Sequence, residues 1–345
     1  VYAKWEVNVY NITYELNGGI NDENNVYTFT VECIFVYFNW PKKSDGEFLG
    51  WYIDGEKVDS FYYVCDRDIT AVAKWKQLDV HVEDCKIIGR ANNATEIEIP
   101  SVVNNIQINE IADGAFAGCS DIIGLTIPES IRFIQKNVFA GCTGLKKLVW
   151  NTESVSDNSF EKMFVDCISL TEIVFGSNVK RIPKRFMFGC PGLTDLVIPD
   201  NITEIGEYAF SDCENLKSVS VGNGITELTW DTFSRCSSLE NVEFPENLQK
   251  ISNGVFYGCG FKEIVIPDSV TSLEVGVFSE CTKLRCVTIG KGVKSIKDGV
   301  FSGCYNLAVV INKSTLEIRK GISVDWLVTY ALDIRTEKLN DITMQ

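Results

Sequence analysis

The sequence contains a single histidine, His81, and no apolar run long enough to cross a membrane. A membrane-spanning helix needs about 20 consecutive apolar residues, so none is expected in this chain. One histidine makes histidine-based acid–base catalysis and histidine-rich metal sites unexpected. Nucleophile–base pairs, phosphate-binding glycine loops and calcium loops are also missing from the pattern. We therefore expect no enzymatic activity, no cofactor and no metal.

Positive charge is scarce as well, which gives a formal net charge of -15. Residues 1–76 hold 7 Lys or Arg and 12 Asp or Glu, and the remainder holds 25 and 35, so the acidity is spread along the chain. A negative surface repels phosphate groups, which argues against nucleic acid or anionic lipid as a partner. The charge either keeps the protein soluble or serves an acid-specific function, and the first is the simpler interpretation.

A signal peptide is absent, and the chain opens at Val1 without a methionine. This start is typical of a cut fragment, so the missing targeting segment carries no information about a parent protein.

Thirteen cysteines are present, and such a number ordinarily indicates disulfides or a metal site. Nine of them recur at gaps of 23 residues, with one gap of 25 and one of 22: Cys119, Cys142, Cys167, Cys190, Cys213, Cys236, Cys259, Cys281 and Cys304. No C-x-x-C pair accompanies them, so a zinc-binding strip is the weaker alternative. The regular spacing predicts free, buried thiols that behave as small apolar groups.

The residues around these cysteines repeat with them. A Phe stands three residues before the cysteine in eight copies, and Met187 takes that place in the fourth. Apolar residues follow at three and six positions, as Leu145 and Leu148 do after Cys142. The L-x-x-V-x-I stretch predicts a short strand that Pro or Gly ends, after which the chain returns along the opposite side. Stacked copies would bury a continuous core, which predicts a solenoid.

The motifs ADGAFAGC (112–119), GVFYGC (254–259) and GVFSGC (299–304), with the strand motif LTIPESIRFI (125–134), closely resemble the BspA-type leucine-rich repeat. The resemblance covers roughly residues 85–311, and residues 85–111 look like the family's first, atypical repeat. Trp150 stands where the family usually has Ile. The resemblance implies a bacterial surface protein, secreted or associated with the cell wall, that adheres to extracellular-matrix or cell-surface proteins.

The first 76 residues follow a different pattern. The stretches YELNGG (14–19), NWPKKSDGEFLGWY (39–52) and AVAKW (71–75) resemble the B-repeat of internalins, also called the Listeria–Bacteroides repeat. VYAKW (1–5) repeats the last motif and would end a preceding copy. The resemblance implies a β-grasp-like domain in a tandem array, often a spacer. Its aromatic residues suit a small core better than a sugar-binding platform.

The fold class predicted is mainly β: a leucine-rich-repeat solenoid of about nine 23-residue repeats plus caps, preceded by a small β-grasp-like α+β domain. The expected domains are the tail of a preceding B-repeat, the B-repeat-like domain, an N-terminal cap, the repeats, and a C-terminal cap or tail: 1–5, 6–76, 77–111, 112–311 and 312–345. Apolar residues near 3.6-residue spacing make residues 321–333 a candidate helix.

Outward positions of the predicted strands form the concave sheet of a leucine-rich solenoid and are the candidate partner-binding residues. These are Lys146, Lys147, Val149, Thr171, Glu172, Val174, Thr194, Asp195, Val197, Lys217, Glu240 and Lys262. The three valines form either an apolar contact stripe or an ordinary exposed strand of β-favouring residues. Cys286 also falls at an outward position, as a reactive or an incidental thiol. Trp230 is expected on the convex side.

These observations favour a non-catalytic adhesion or protein-interaction module that binds a host or other extracellular protein through the solenoid surface. A glycan-binding module would need exposed aromatic residues on the concave face, where the sequence has few. A structural stalk of a larger surface protein is the third possibility. The partner, the binding face and the oligomeric state stay open.

Overall fold

The computed structural model describes residues 6–33, 36–58, 66–152, 155, 160, 163–318 and 333–336. These residues form 28 strands and no helix. The first half of the strands, in chain order, are β1 Val9–Glu15, β2 Thr28–Thr30, β3 Gly46–Ile53, β4 Glu56–Val58, β5 Ile69–Gln77, β6 Val80–Glu83, β7 Lys86–Arg90, β8 Glu96–Glu98, β9 Val102–Val103, β10 Ile106–Gln107, β11 Glu110–Ile111, β12 Gly124–Ile127, β13 Phe133–Ile134 and β14 Lys147–Trp150. The second half are β15 Glu172–Phe175, β16 Arg181–Ile182, β17 Asp195–Ile198, β18 Glu204–Ile205, β19 Ser218–Val221, β20 Glu227–Leu228, β21 Asn241–Glu243, β22 Lys250–Ile251, β23 Glu263–Val265, β24 Ser272–Leu273, β25 Cys286–Ile289, β26 Ser295–Ile296, β27 Val309–Asn312 and β28 Asp333–Thr336.

The chain divides into two compact units. The first unit comprises residues 1–93 and 102–108, and the second comprises 94–101 and 109–345. The stretch predicted as an N-terminal cap, 77–111, therefore contributes residues to both units. The domain boundaries given by the sequence remain predictions.

The first unit is built on a five-stranded mixed sheet in the order β2-β1-β5-β3-β4. Strands β1 and β5 pair in parallel, β2 pairs antiparallel with the other edge of β1, and β3 and then β4 continue antiparallel beyond β5. The hairpins β6–β7 and β9–β10 complete the unit. A mixed sheet is compatible with the predicted β-grasp-like α+β domain, but the described residues of this unit contain no helix, so that assignment stays a prediction.

The motifs of the first unit hold its core together. Asn17 and Gly18 have φ of 46° and 86°, which is the left-handed conformation that a tight turn requires. A Cβ atom on the following Gly19 would lie 2.6 Å from the indole ring of Trp75. The indole Nε1 of Trp75 donates a hydrogen bond to the carbonyl oxygen of Leu16 at 2.9 Å. The turn motif (14–19) and the motif that ends in Trp75 (71–75) are therefore in direct contact.

The second unit is a β-solenoid of about ten turns. Most turns contribute one long strand of three or four residues, whose side chains alternate between core and surface, and one short strand of two residues. Among the described residues, no short strand lies between β14 and β15. The long strands pair in parallel in the orders β8-β12-β14-β15, β17-β19-β21 and β23-β25-β27-β28. The short strands pair in parallel as β11-β13, β16-β18 and β20-β22-β24-β26. This arrangement confirms the solenoid predicted from the repeats.

A third hydrogen-bonded ladder runs through the F-x-x-C turns. In one repeat, the amide of Phe233 donates to the carbonyl of Val255 at 3.0 Å, and the amides of Asp231 and Arg235 donate to the next turn in the same way. The pattern recurs along the solenoid, so neighbouring turns are joined on three sides. Buried backbone groups are thereby satisfied without helices.

The core consists of stacked phenylalanines beside buried cysteines. Successive rings lie 5.0–6.2 Å apart with interplanar angles of 7–17° in two stacks: Phe116, Phe139 and Phe164, and Phe210, Phe233, Phe256, Phe278 and Phe301. The stacks are interrupted at the fourth copy, where Met187 occupies the ladder position. There Phe186 packs edge-on against Trp150 with ring centroids 4.7 Å apart.

The cysteine thiols are held by the backbone of the preceding turn. The Sγ of Cys236 lies 3.2 Å from the carbonyl oxygen of Phe210, and Cys259, Cys281 and Cys304 repeat this contact. Every cysteine within the described residues is a free thiol. A small apolar group with one weak donor thus fits the position, because it fills the core and also bonds the carbonyl.

The end of the chain differs in part from expectation. Residues 319–332, which include most of the predicted helix 321–333, lie outside the described residues. Asp333, the last residue of that predicted helix, instead begins β28, which pairs in parallel with β27. The described part of the tail therefore extends the long-strand sheet by one strand.

Candidate functional site

The long strands present two columns of outward side chains, which together we call the long-strand face. The first column holds the residue that begins most long strands, so that Lys147 pairs in register with Glu172. The second column lies two residues later, so that Val149 pairs in register with Val174. The residues between the columns, such as Leu148, point into the core. This alternation is the strand geometry that the repeat pattern predicted.

The second column contains an apolar segment, the valine stripe, made of Val149, Val174 and Val197. Val197 holds the equivalent position on β17, which contacts β15 although the two strands belong to separate hydrogen-bonded sheets. Val149 is half-buried, while 39% of Val174 and 65% of Val197 are exposed.

Polar residues limit the stripe at both ends. In register, Thr126 and Glu98 precede it, and Ser220 and Glu243 follow it. A short apolar strip with a polar rim is the form of many protein-contact surfaces.

Charged side chains of the first column and of the position before it pair with each other between turns. The Nζ of Lys147 lies 2.7 Å from a carboxylate oxygen of Glu172, and the Nζ of Lys262 lies 3.1 Å from Glu240. These side chains are substantially exposed, so each pair adds little to stability. Beside the valine stripe, Lys147 and Glu172 thus neutralise each other.

Asp195 continues the first column beside the stripe. It accepts a hydrogen bond from the hydroxyl of Thr194 at 2.9 Å and another from Ser218 on the next turn. These two hydrogen bonds lower the pKa of Asp195, against a smaller opposing effect of burial. The carboxylate is therefore ionised at neutral pH.

The structure places the remaining predicted residues just before the long strands. Lys146, Thr171, Lys217 and their equivalents are exposed or half-buried. Their backbone joins the turns: the carbonyl of Lys146 accepts the amides of both Thr171 and Glu172. The predicted polar residues on the turns of the valine stripe precede it along the strands and lie on one side of it: Lys146, Lys147, Thr171, Glu172, Thr194 and Asp195. Lys217, Glu240 and Lys262 lie on the turns that follow the stripe.

Cys286 occupies the first column of β25, between Glu263 and Val309 in register. Partial burial and the negative charge of Glu263 raise the pKa of its thiol, while Arg335 acts in the opposite direction. A raised pKa means that little of the reactive thiolate is present at neutral pH. The raised pKa is in line with the incidental thiol, the simpler of the two interpretations.

A second concave surface lies along the short strands and was not predicted. It has a volume of about 380 Å³. Its charged and aromatic lining comprises Arg181, Lys184, Glu204, Glu207, Glu227 and Trp230. Trp230 is 50% exposed, in line with the prediction that it lies outside the core. In the sequence, five consecutive repeats lack the glycine of the G-x-F motif, so this signal is wider than the groove and does not locate it: Asn137, Lys162, Arg185, Tyr208 and Asp231.

The described residues contain no helix that could cross a membrane. Among the same residues, no three His, Cys, Asp or Glu side chains are grouped so as to hold a metal ion.

Comparison with known families gives a match over most of the solenoid. The family model described as BspA type leucine rich repeat region matches residues 89–217 and 204–322, in six copies.

Individual relatives are more distant. A leucine-rich repeat protein from Bacteroides ovatus is 27% identical, with 66% of this chain and 67% of that chain covered and a TM-score of 0.46. A leucine rich repeat protein of T. pallidum is 29% identical, with 50% and 80% covered and a TM-score of 0.39. A protein of Evansella cellulosilytica named as a putative membrane protein is 32% identical over 90 residues. This chain spans 13% of that relative's length, and the match covers 24% of this chain.

Proposed function

Because the chain belongs to the BspA type leucine rich repeat family, we propose that its second unit is a non-catalytic adhesion module that binds an extracellular or host protein through the long-strand face. A repeat fold of this kind offers an extended surface for protein interaction. Surface location is part of the proposal, and it is supported by a relative that is named as a putative membrane protein.

The observation that carries the proposal is the valine stripe. Val174 and Val197 expose apolar surface on two strands that contact each other. The same column is polar two turns before Val174, at Thr126, and one turn after Val197, at Ser220. Burial of apolar surface contributes about 25 cal/mol per Å², so a partner that covers the stripe gains affinity there. The neighbouring ion pair Lys147–Glu172 and the carboxylate of Asp195 would form the polar rim.

The first unit is proposed to act as a spacer that holds the solenoid away from the cell wall. Its likeness to internalin B-repeats supports this role, and the two matching motifs meet where Gly19 lies against the indole of Trp75. The aromatic residues Trp51 and Phe38 are buried in its core, which supports a structural role for these two rather than a sugar platform.

The test is a binding assay with immobilised fibronectin, laminin, collagen and mucin. The wild-type chain is compared with the double variant Val174→Ser/Val197→Ser. Val265→Ser is the matched control, because Val265 occupies the same column, is 63% exposed and lies beyond the polar interruption. We expect one of these proteins to bind, the double variant to weaken binding about tenfold or more, and the control to bind as the wild type does.

Two results would contradict the proposal. The first is that none of the four proteins binds, which would favour a structural stalk. The second is that a protein binds, but the double variant and the control lose affinity for it equally, or neither loses any. Either outcome would place the contact away from the stripe. Because serine is well tolerated on an exposed strand, unchanged unfolding temperatures should accompany all variants.

A further inference from the structure

Two successive repeats carry a large side chain at a left-handed backbone position, and the repeat after them has aspartate there. Arg185, Tyr208 and Asp231 have φ of 57°, 58° and 52°. Four other repeats have glycine at the equivalent position, with φ of 62–66°: Gly114, Gly254, Gly276 and Gly299. Arginine and tyrosine rarely adopt this conformation, and strained residues concentrate at ligand-binding sites. The neighbourhood of these three residues is therefore a candidate site.

Contacts between the three turns fix this place. The guanidinium carbon of Arg185 lies 5.6 Å from the ring centroid of Tyr208, and the Nζ of Lys184 lies 5.9 Å from the same centroid. Burial, the charge of Asp231 and a hydrogen bond to that carboxylate raise the pKa of Tyr208. The amide of Tyr208 donates to the carbonyl of Trp230 at 3.0 Å. Tyr208 thus links the turn before it to the turn after it.

The groove of the short strands adjoins these residues. Its floor includes Gly206, where a Cβ atom would lie 2.4 Å from the backbone nitrogen of Lys184. A larger residue there would push the neighbouring turns apart. The volume of about 380 Å³ lies within the range of small-molecule sites, about 300–1,000 Å³. The groove is therefore large enough for a small ligand and is formed by the backbone itself.

The charged side chains of the groove are each paired across neighbouring turns. Arg181 contacts Glu204 at 2.9 Å, and Lys184 contacts Glu207 at 2.5 Å. Glu227 accepts hydrogen bonds from Lys250 at 2.9 Å and from Ser252 at 2.7 Å. A charged ligand would have to compete with one of these pairs.

The same side chains can bind an uncharged ligand that has hydroxyl groups. A carboxylate has about four acceptor sites and a guanidinium has five donors, so each can add hydrogen bonds to hydroxyls without breaking its pair. The negative net charge of -15 further disfavours acidic ligands.

Trp230 adds an apolar surface to this polar groove. It lines the groove with half of its surface exposed, whereas the same position holds Asn253, Val275 or Asp298 in the following repeats. Its large flat ring offers contact area at a small cost in side-chain entropy. A ligand that combines one apolar face with several hydroxyl groups matches both parts of the groove, and a pyranose sugar is such a ligand.

We propose that the groove between the short strands of these repeats binds a neutral saccharide, with one sugar ring packed on Trp230 and its hydroxyl groups bonded to the paired carboxylates and cations. This site lies on the short strands and is independent of the valine stripe on the long-strand face. The two sites can therefore succeed or fail separately.

The experiment uses the full chain on an array of neutral and acidic oligosaccharides, followed by titration with the strongest neutral binder. Trp230→Asn is the test variant, because asparagine already fills this position as Asn253 and the fold should tolerate it. Trp230→Phe keeps an aromatic ring. Val275→Ala is the matched control, since Val275 holds the same position two turns later with the same exposed fraction of 50%.

We expect neutral oligosaccharides to bind, Trp230→Asn to weaken them about tenfold or more, Trp230→Phe to retain most of the affinity, and Val275→Ala to leave it unchanged. Val174→Ser/Val197→Ser should also leave it unchanged, which separates this result from the proposed protein adhesion. The proposal is overturned if no neutral oligosaccharide binds at millimolar concentration, if acidic glycans or a lysine-rich peptide are preferred, or if Trp230→Asn binds like the wild type.

Discussion

The two units keep residues in the left-handed conformation for different reasons. In the first unit, the described residues other than glycine with positive φ are Asn17, Asp54, Asp84, Asn104 and Asn105. In the second unit they also include Arg185, Tyr208, Arg235 and Glu280. Asparagine and aspartate tolerate this conformation through their own short side chains. Arginine, tyrosine and glutamate do not, so in the solenoid the hydrogen bonds between turns must impose it.

The cores differ in the same way. In the first unit, Trp51 meets Tyr14 and Phe48 at interplanar angles of 62° and 70°. In the solenoid, Phe256 stacks nearly parallel on Phe233 and on Phe278, at 7° and 11°. The first core is a closed cluster of unlike residues, whereas the second repeats one contact from turn to turn. A substitution at one repeated position should therefore also weaken the neighbouring turns. An effect on stability that every turn shares should add up along the solenoid.

Alkaline pH should produce the largest difference between the units. Burial raises the pKa of eight ladder thiols, including Cys190 to about 11 and Cys142 to about 12. A raised folded pKa contributes stability that is complete below the ordinary thiol value and is lost as pH rises towards the folded value. Each thiol contributes roughly 1.4 kcal/mol per pH unit in that window, so eight approach the stability of a whole domain, about 5–15 kcal/mol. We expect the solenoid to unfold between about pH 9 and 11.

Hydrogen exchange, measured on individual peptides in reducing buffer, would show which unit loses stability at alkaline pH. The first unit should persist longer, because Cys33 is exposed and its thiol pKa is lowered by hydrogen bonds from Thr30. The triple variant Cys190→Ala/Cys213→Ala/Cys236→Ala should show a smaller pH dependence of stability. If the solenoid is as stable at about pH 10.5 as at neutral pH, the buried thiols do not act as described.

The next largest loss of stability is expected when one ring of the phenylalanine stack is removed. Phe256→Ala should lower the free energy of unfolding of the solenoid by about 3–5 kcal/mol, because it removes a buried ring that contacts Phe233, Phe278 and Phe261. Hydrogen-exchange protection should fall in the adjacent turns as well as in its own. Thermal unfolding and hydrogen exchange measure the two effects.

Two substitutions serve as controls for Phe256→Ala, one on the surface of the solenoid and one in the core of the first unit. Lys217→Ala on the long-strand face should change stability by less than about 0.5 kcal/mol. Trp51→Ala should destabilise the first unit and leave the exchange of the solenoid unchanged. Equal effects of Phe256→Ala and Lys217→Ala would show that the repeat pattern was misread.

The sequence was sufficient to predict what the repeats share. Cys236 and Phe233 are buried where their spacing placed them, and Val149 and Val174 lie in register as predicted. Each of these positions recurs in several repeats, so one unusual residue does not change the prediction of burial or register. Whether the predicted residues bind a partner is a separate matter that the pattern alone does not decide.

The features that were missed arise where the copies differ. The groove beside Trp230 is lined by residues of successive turns, such as Lys184 and Glu207, which lie about 23 residues apart in sequence and have no common motif. Their proximity follows only after the turns are stacked in register. Similarly, Asp333 reads as the end of an apolar helical pattern, but its segment pairs with β27 because the solenoid offers it an open strand edge.

The smallest expected change in stability comes from replacing a left-handed residue by glycine, which tests why each unit holds residues in that conformation. Glu280 has φ of 59° at a position where other turns have Gly258 or Gly303. Glu280→Gly relieves a strain of about 1–2 kcal/mol but increases the freedom of the unfolded chain, so a net gain of about 0.5–1 kcal/mol is expected in denaturant unfolding.

Asp54→Gly in the first unit is the matched change, because Asp54 has φ of 51° in the turn between β3 and β4. Aspartate tolerates that conformation and also pairs with Arg67, so its replacement should give no gain. Opposite signs for the two substitutions would support a backbone imposed by the stacked turns in one unit and chosen by the local sequence in the other. A loss of stability in Glu280→Gly would instead mean that the contacts of the Glu280 side chain, which lies over Gly303, outweigh the strain.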